Sequence, residues 1–156
     1  MRRRSADKRE ASPDKKYNSP LVAKFVNVVM IKGKKTVAES IVYGAFEILK
    51  KKAHEEDALK VFYKAIDNAR PKMEVKPRRV GGATYQIPLE VPVSRGNSIA
   101  FRWVRDYANA KKGKPMMHKL ADELFAAYKS EGPVIKKRDD VHKMAEANKA
   151  FAHLRW

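Results

Sequence analysis

No cysteine occurs in the 156 residues of this chain, which excludes disulfides and thiolate metal sites and suits a reducing compartment. Long apolar runs are missing too. The longest, Phe25 to Ile31, is broken by Asn27 and falls far short of a bilayer's thickness. The basic N-terminus leads into no apolar stretch, so the secretory-signal pattern is not met. Acidic residues are few, 18 against 35 lysines and arginines, and the net charge of +17 points to a polyanionic partner. Hydrophobic residues still make up 44%, enough for a folded core, and no repeat or linker divides residues 1–156. A single domain is expected.

Catalytic constellations are equally scarce. His54, His118, His142 and His153 are scattered. His142 and Glu146 stand four apart but lack the second histidine of a zinc motif, and they read as a surface hydrogen bond. Asp139 and Asp140 would diverge by about 100° on a helix, so they read as a helix start rather than a metal pair. Gly81-Gly82 has no following Lys-Ser/Thr, which rules out a phosphate-binding loop. No enzyme activity, cofactor or metal is expected.

Period-2 alternation is present in one place. Met73 and Val75 alternate with Lys72, Glu74 and Lys76, and Tyr85, Ile87, Leu89 and Val91 alternate with Thr84, Gln86, Pro88 and Glu90. A β-hairpin over 72–91 follows, turning at Gly81-Gly82, because a tight two-residue turn needs positive φ. Arg78 and Arg79 fall beside that turn. A two-stranded ribbon is marginal alone and needs a body to pack against. It reads as a basic finger held out from helices.

The rest of the chain has helical spacing. Residues 1–16 carry Arg2, Arg3, Arg4, Lys8, Arg9, Lys15 and Lys16 with no apolar period, and a disordered basic arm is expected. Ser19-Pro20 is a helix start, followed by Leu21, Val22, Phe25, Val26, Val29 and Met30. Thr36 to Lys52 forms a second helix burying Val37, Ile41, Val42, Ala45, Phe46, Ile48 and Leu49. Glu55-Glu56-Asp57 suits the positive dipole end of a third, which buries Leu59, Phe62, Ala65 and Ile66 and stops before Arg70-Pro71. After the hairpin, a fourth helix carries Ile99, Ala100, Trp103, Val104, Tyr107 and Ala108 inward. Pro115 opens a fifth with Met117, Leu120, Ala121, Leu124 and Phe125. Gly132-Pro133 ends it, and a last helix runs from Val141 to about Ala150. The expected fold is mainly α, a six-helix bundle with a protruding hairpin between helices three and four.

Basic residues gather at the arm, Lys32 to Lys35, Arg78-Arg79, Lys111 to Lys114 and Lys136 to Arg138. Any one cluster is an ordinary solvated surface, but together they favour nucleic acid. Most aromatic residues lie on apolar stripes and belong to the core. Phe101 and Trp156 lie outside those stripes and are candidates to stack on a base or a partner.

Two runs carry a resemblance: Lys60 to Val75 (KVFYKAIDNARPKMEV) and Arg78 to Leu89 (RRVGGATYQIPL). The ending adds Lys136 to Asp140 and Met144 to Trp156. These closely resemble the bacterial small-subunit ribosomal protein seven family, in collinear order from about Pro13. The resemblance implies a helical bundle with a protruding ribbon, located in cytoplasmic ribosomes. It implies binding to the 3′ major domain of small-subunit ribosomal RNA, nucleation of head assembly, and a position near exit-site transfer RNA and messenger RNA. It further implies contact with ribosomal protein eleven of the platform, and no membrane association. On this sequence, the implied ribosomal RNA contacts are Arg2, Arg3, Arg4, Lys8, Arg9, Lys34, Lys35, Lys76, Arg95, Arg102, Lys111, Lys112, Lys114, Lys136, Lys137 and Arg138. The residues implied near transfer or messenger RNA are Arg78, Arg79, Gly81, Gly82, Lys143 and Arg155, with residues 139–156 forming the C-terminal helix and tail.

Three positions depart from the family pattern. Pro77 stands in the first strand, where it should face the open edge or sit at a bulge. Leu154 replaces a usual tyrosine, and Gly96-Asn97 replaces a more basic pair. The rival reading is a DNA-architectural protein whose basic ribbon enters a minor groove, with Pro77 as a wedge. Against it, the chain has no dimerisation stripe.

The arm generates a direct test. Deleting Met1 to Arg9 removes five basic residues and no apolar pattern. Thermal stability should stay unchanged, while the slope of log affinity for ribosomal RNA against log salt drops by at most about 4 to 5 units. Unchanged affinity and slope on the truncated protein would make the arm a spectator.

Overall fold

The computed structural model describes residues 12–154, so Arg2, Arg3, Arg4, Lys8, Arg9 and Arg155 lie outside the described residues. Six α-helices and one ribbon occur among them: α1 (Pro20–Val29), α2 (Lys35–Ala53), α3 (Ala58–Ala69), β1 (Met73–Val80), β2 (Ala83–Glu90), α4 (Val93–Ala110), α5 (Met116–Tyr128) and α6 (Gly132–Ala147). A 3₁₀ turn, Lys149–Leu154, is the last of the described elements. The mainly α fold with a hairpin between the third and fourth helices is the one expected.

Helix starts follow their local chemistry. The Ser19 hydroxyl accepts the Val22 N–H at 3.4 Å with Pro20 in the first turn, and it also bonds the Tyr63 hydroxyl at 2.6 Å. Asp57 caps α3 by accepting the Leu59 N–H at 2.9 Å. The last helix begins earlier than its expected start at Val141. Pro133 sits in the first turn of α6, so Lys136, Lys137 and Arg138 lie within the helix rather than in a turn. Asp139-Asp140 is accordingly mid-helix and caps nothing.

Helix α5 packs against α2, α3, α4 and α6 and is the axis of the bundle. Phe62 of α3 joins the helices around it: its ring lies 5.3 Å from Phe25, 5.0 Å from Phe46 and 6.3 Å from Phe101. Phe101 is thus a core residue, 2% exposed, and its expected availability for base stacking is overturned. Its stripe was hidden because α4 buries a wide arc, from Ala100 and Phe101 to Val104 and Ala108. Val37 errs the other way. It belongs to the expected buried stripe of α2 but is 54% exposed, and its neighbour Ala38 is buried instead.

The end of the arm is ordered against the body. Asp14, 6% exposed, accepts the Lys16 and Tyr17 N–H groups at 3.1 and 3.0 Å and the Tyr43 hydroxyl at 2.7 Å. Burial, followed by the Asp14 carboxylate, pushes the Tyr43 phenol up to about 12. Disorder expected for residues 1–16 therefore does not extend to Asp14–Lys16.

The ribbon pairs antiparallel from Met73↔Glu90 to Val80↔Ala83, around Gly81 and Gly82 with φ of +57° and +93°. Both central residues have positive φ, the geometry that follows the twist of the strands. Pro77 pairs with Gln86 in an unbroken register, so no bulge accommodates it and its missing N–H is tolerated at the open edge. The base of the ribbon is covered. Ile87 is 1% exposed, Tyr85 packs against Phe151 at 5.1 Å, and α6 and the 3₁₀ turn pack across the strands. Gly96 of α4 lets that helix close on the ribbon's root, since a Cβ there would come within 2.6 Å of Arg70 Cγ.

His142 joins α6 to the ribbon. Its Nε2 accepts the Lys72 N–H at 2.9 Å, which replaces the bond expected with Glu146. Burial first, and then the Arg138 charge, push the imidazole below its usual value of 6.5. The unfolded chain takes up this proton near pH 6.5, while the folded chain resists until lower pH. Stability from this group is therefore full above about pH 6.5 and lost as pH falls towards the folded value. Thermal unfolding between pH 5 and 7 should show this fall, and His142→Leu should flatten it. An identical pH profile in the variant would refute the linkage.

Candidate nucleic-acid interface

The fold sorts the expected cations by what holds them. Arg95, at the start of α4, is fastened to Glu74 of β1: Nε lies 3.0 Å from both carboxylate oxygens and Nη2 lies 2.9 Å from Oε2. Lys76 approaches the same carboxylate at 3.5 Å. Burial works to raise the Glu74 carboxyl, but Arg95 and Lys76 outweigh it and hold it below the usual carboxylate range. Arg95 thus fixes the ribbon's root to the body and has only part of its guanidinium to offer a phosphate.

Two more expected contacts are structural. Arg138 donates to the Asn68 carbonyl at 2.6 Å and to Asp139 Oδ1 at 2.8 Å. Asn68 in turn donates to the Ala127 and Tyr128 carbonyls at 3.0 and 3.1 Å, so α3, α5 and α6 meet at one knot. Lys111 lies 2.6 Å from Oε1 of Glu123, a carboxylate only 1% exposed. No donor among the described residues makes a well-directed hydrogen bond to either Glu123 oxygen, so this contact is an ion pair and not an aligned bond. Sequence spacing missed Glu123, because it stands next to Leu124 on a stripe that otherwise reads as apolar.

Lys114 lies 3.6 Å from Asp122, which also pairs with Lys52, and Lys35 lies 3.9 Å from Glu39. Both lysines are more than half exposed, and such pairs contribute little. The remaining expected cations are Lys34, Arg78, Arg79, Arg102, Lys112, Lys136, Lys137 and Lys143. Each is exposed and has no acidic partner within ion-pair distance among the described residues.

Three elements bring part of this set together. A cleft of about 490 Å³ opens between the root of β1, α4 and α6, lined by the cations Arg95, Arg102 and Lys137, the acids Glu74 and Asp106, and the apolar faces of Trp103, Val141 and Met144. Arg102 and Lys137 are far apart in sequence and face one opening. Trp103 was assigned to the core by its spacing. It packs on the core and also forms a wall of this cleft. Arg78 and Arg79 are carried away from it, to the ribbon's exposed tip.

The family model described as Ribosomal protein S7p/S5e matches residues 1–149. The chain belongs to that family. It is therefore a structural ribosomal protein of the S7p/S5e type. The chain is 56% identical to the small ribosomal subunit protein uS7 of Thermotoga neapolitana over 156 residues, the whole of both chains. It is 57% identical to that of Pseudothermotoga lettingae over the same length, and 55% identical to that of Desulfatibacillum aliphaticivorans over 155 residues, 99% of each chain. S7p/S5e membership removes the DNA-architectural alternative. The ribosomal family also agrees with the expectation that the chain is not an enzyme.

Adjacent lysines of this S7p/S5e chain should separate by role. Lys111→Met leaves the Glu123 carboxylate buried without its counter-charge and should destabilise the fold by about 1–3 kcal/mol, moderated by the lysine's own partial exposure. Lys112→Met, on an exposed side chain, should stay within about 0.5 kcal/mol of the parent. Denaturant unfolding of both variants checks the contrast, and equal stabilities would contradict it.

Proposed function

We propose that this protein binds the 3′ major domain of small-subunit ribosomal RNA, nucleates assembly of the subunit head, and holds its ribbon tip near exit-site transfer RNA and messenger RNA. The observation that carries this reading is the split among the cations. Those at the ribbon root and within the bundle are consumed by Glu74, Glu123 and Asp139, while Arg78 and Arg79 at the tip, Lys34 and Lys112 in the turns, and Lys136, Lys137 and Lys143 on α6 have no acid within ion-pair distance among the described residues. Cations kept clear of carboxylates on projecting elements are what a phosphate backbone meets. Lys34, Arg102, Lys112, Lys136 and Lys137 face ribosomal RNA, together with the arm residues Arg2, Arg3, Arg4, Lys8 and Arg9.

Arg78, Arg79 and the Gly81-Gly82 turn approach transfer RNA, with Lys143 and Arg155 on the C-terminal side. Lys35, Lys76 and Lys114 are half-exposed pairs that can exchange their carboxylates for phosphates at small cost. The C-terminal tail contacts ribosomal protein eleven of the platform. Its base is anchored by the Tyr85–Phe151 contact, which sets where the tail leaves the body. The protein acts in cytoplasmic ribosomes; among the described residues no helix is long and apolar enough to cross a membrane.

Simultaneous neutralisation of roughly 6–10 phosphates should weaken binding by about 10³–10⁵ between 50 and 200 mM salt. Filter binding to a transcript of the 3′ major domain reads this directly, and a flat response would sink the multi-cluster contact. Deleting Arg78 to Ala83 and closing the ribbon with a short turn should leave binding and subunit entry intact, because the tip packs against nothing in the core. The defect should appear in exit-site transfer RNA occupancy. Failure of a folded deletion variant to enter subunits would move the tip's role to assembly.

A further inference from the structure

The junction of α1 and α2 carries an apolar groove that a solvated basic turn does not account for. Ile31 is 65% exposed and Val37 54% exposed, and between them lies a groove of about 140 Å³ floored by Val29, Ala38 and Ile41. Its rim is Lys32 and Lys34. The turn between these lysines is well defined. Lys32 and Gly33 take φ of +52° and +75°, the Lys34 N–H donates to the Ile31 carbonyl at 3.1 Å, and the Lys35 N–H donates to the Gly33 carbonyl at 2.8 Å. Glu39, the nearest acid on α2, is three-quarters buried at its side chain and paired with Lys35, so it adds little negative charge at the rim.

We propose that this groove receives one unpaired base of the ribosomal RNA, lying on the aliphatic faces of Ile31 and Val37, with its flanking phosphates on Lys32 and Lys34. This inference rests on the reading of the chain as a ribosomal RNA binder and adds a base-contacting site to it. Size and charge select the occupant. A groove this small holds one planar ring, whereas a stable protein interface buries about 800 Å² per partner. Here lysines flank the apolar surface on both sides. Single-stranded RNA presents the complementary pattern, an apolar base face between two phosphates, and its unstacked bases are the part that proteins read.

The test uses the full chain and a transcript of the 3′ major domain. Ile31→Ser/Val37→Ser should lower affinity about tenfold at fixed salt, the order expected for losing the burial of two aliphatic faces. Its salt slope should not change, because no cation is removed. Lys32→Ala/Lys34→Ala should instead lower the slope by about 1 to 2 units. Dimethyl sulfate and carbodiimide footprinting should show one unpaired base protected by the parent and exposed with the serine variant, while other protections persist. If the double variant melts early, Val37→Thr, which keeps the side chain's shape, should show the same loss at smaller size.

Parental binding and footprint in the serine variant would overturn the site while leaving the broader reading intact. Loss of subunit incorporation with unchanged affinity for the bare transcript would mean that a protein covers the groove, and would also overturn it. Failure of the parent itself to bind the transcript would instead defeat the ribosomal RNA reading.

Discussion

The packing of Phe62 against Phe25, Phe46 and Phe101 is the constraint on which the rest depends. Each ring comes from a different helix, so one buried cluster sets the mutual positions of α1, α2, α3 and α4. Buried aromatic side chains carry large apolar areas, and their contacts favour the tilted geometry seen here. With those helices fixed, the ends of α3 and α4 emerge side by side. The ribbon grows from that point. Its direction is set by this origin together with the contacts at its root, where Glu74 pairs with Arg95 and Ile87 is buried.

A chain of +17 must limit the repulsion among its own cations before it can meet an anion. The structure does so locally. Glu74 neutralises the ribbon root, Glu123 answers the cation at the end of α4, and Asp139 holds Arg138 against the end of α3. These three acids are spent where elements join, and the ribbon tip keeps its positive charge. One basic population is thus divided. Arg138 and Lys111 hold elements of the fold together, whereas Arg78, Arg79 and Lys112 are exposed with no acid within ion-pair distance among the described residues.

The ribbon shows the same division along its length. Near the body it is covered by α6 and the 3₁₀ turn, with Ile87 buried and His142 bonded to the backbone at Lys72. Beyond Pro77 the strands run exposed to the glycine turn. A two-stranded arm lacks a core of its own, so its root must be rigid for its tip to be aimed. Gly96 contributes by its closeness to Arg70, whose side chain would have to shift to admit a Cβ there.

Local chemistry in the sequence was sufficient for the element order. Ser19-Pro20, Asp57, Arg70-Pro71 and Gly81-Gly82 act within a few residues of themselves, through capping, proline sterics and positive φ, and each ends or starts an element as its chemistry requires. Net charge and the long RRVGGATYQIPL run were enough for the family. Periodicity failed where burial depends on neighbours remote in the chain. Phe101 lies off the clean stripe yet is buried, because α1 and α3 both close over α4; Val37 lies on a stripe yet is exposed, because in the first turn of α2 it is Ala38 that meets the core. The start of α6 was misplaced because Gly132-Pro133 serves equally as a stop or a first turn. Only the tertiary structure decided which cations are occupied, since an ion pair such as Lys111–Glu123 or a contact such as Arg138–Asn68 joins residues brought together by the packing of whole helices. Sequence determines what a residue can do within its own turn of chain; the fold determines what stands opposite it.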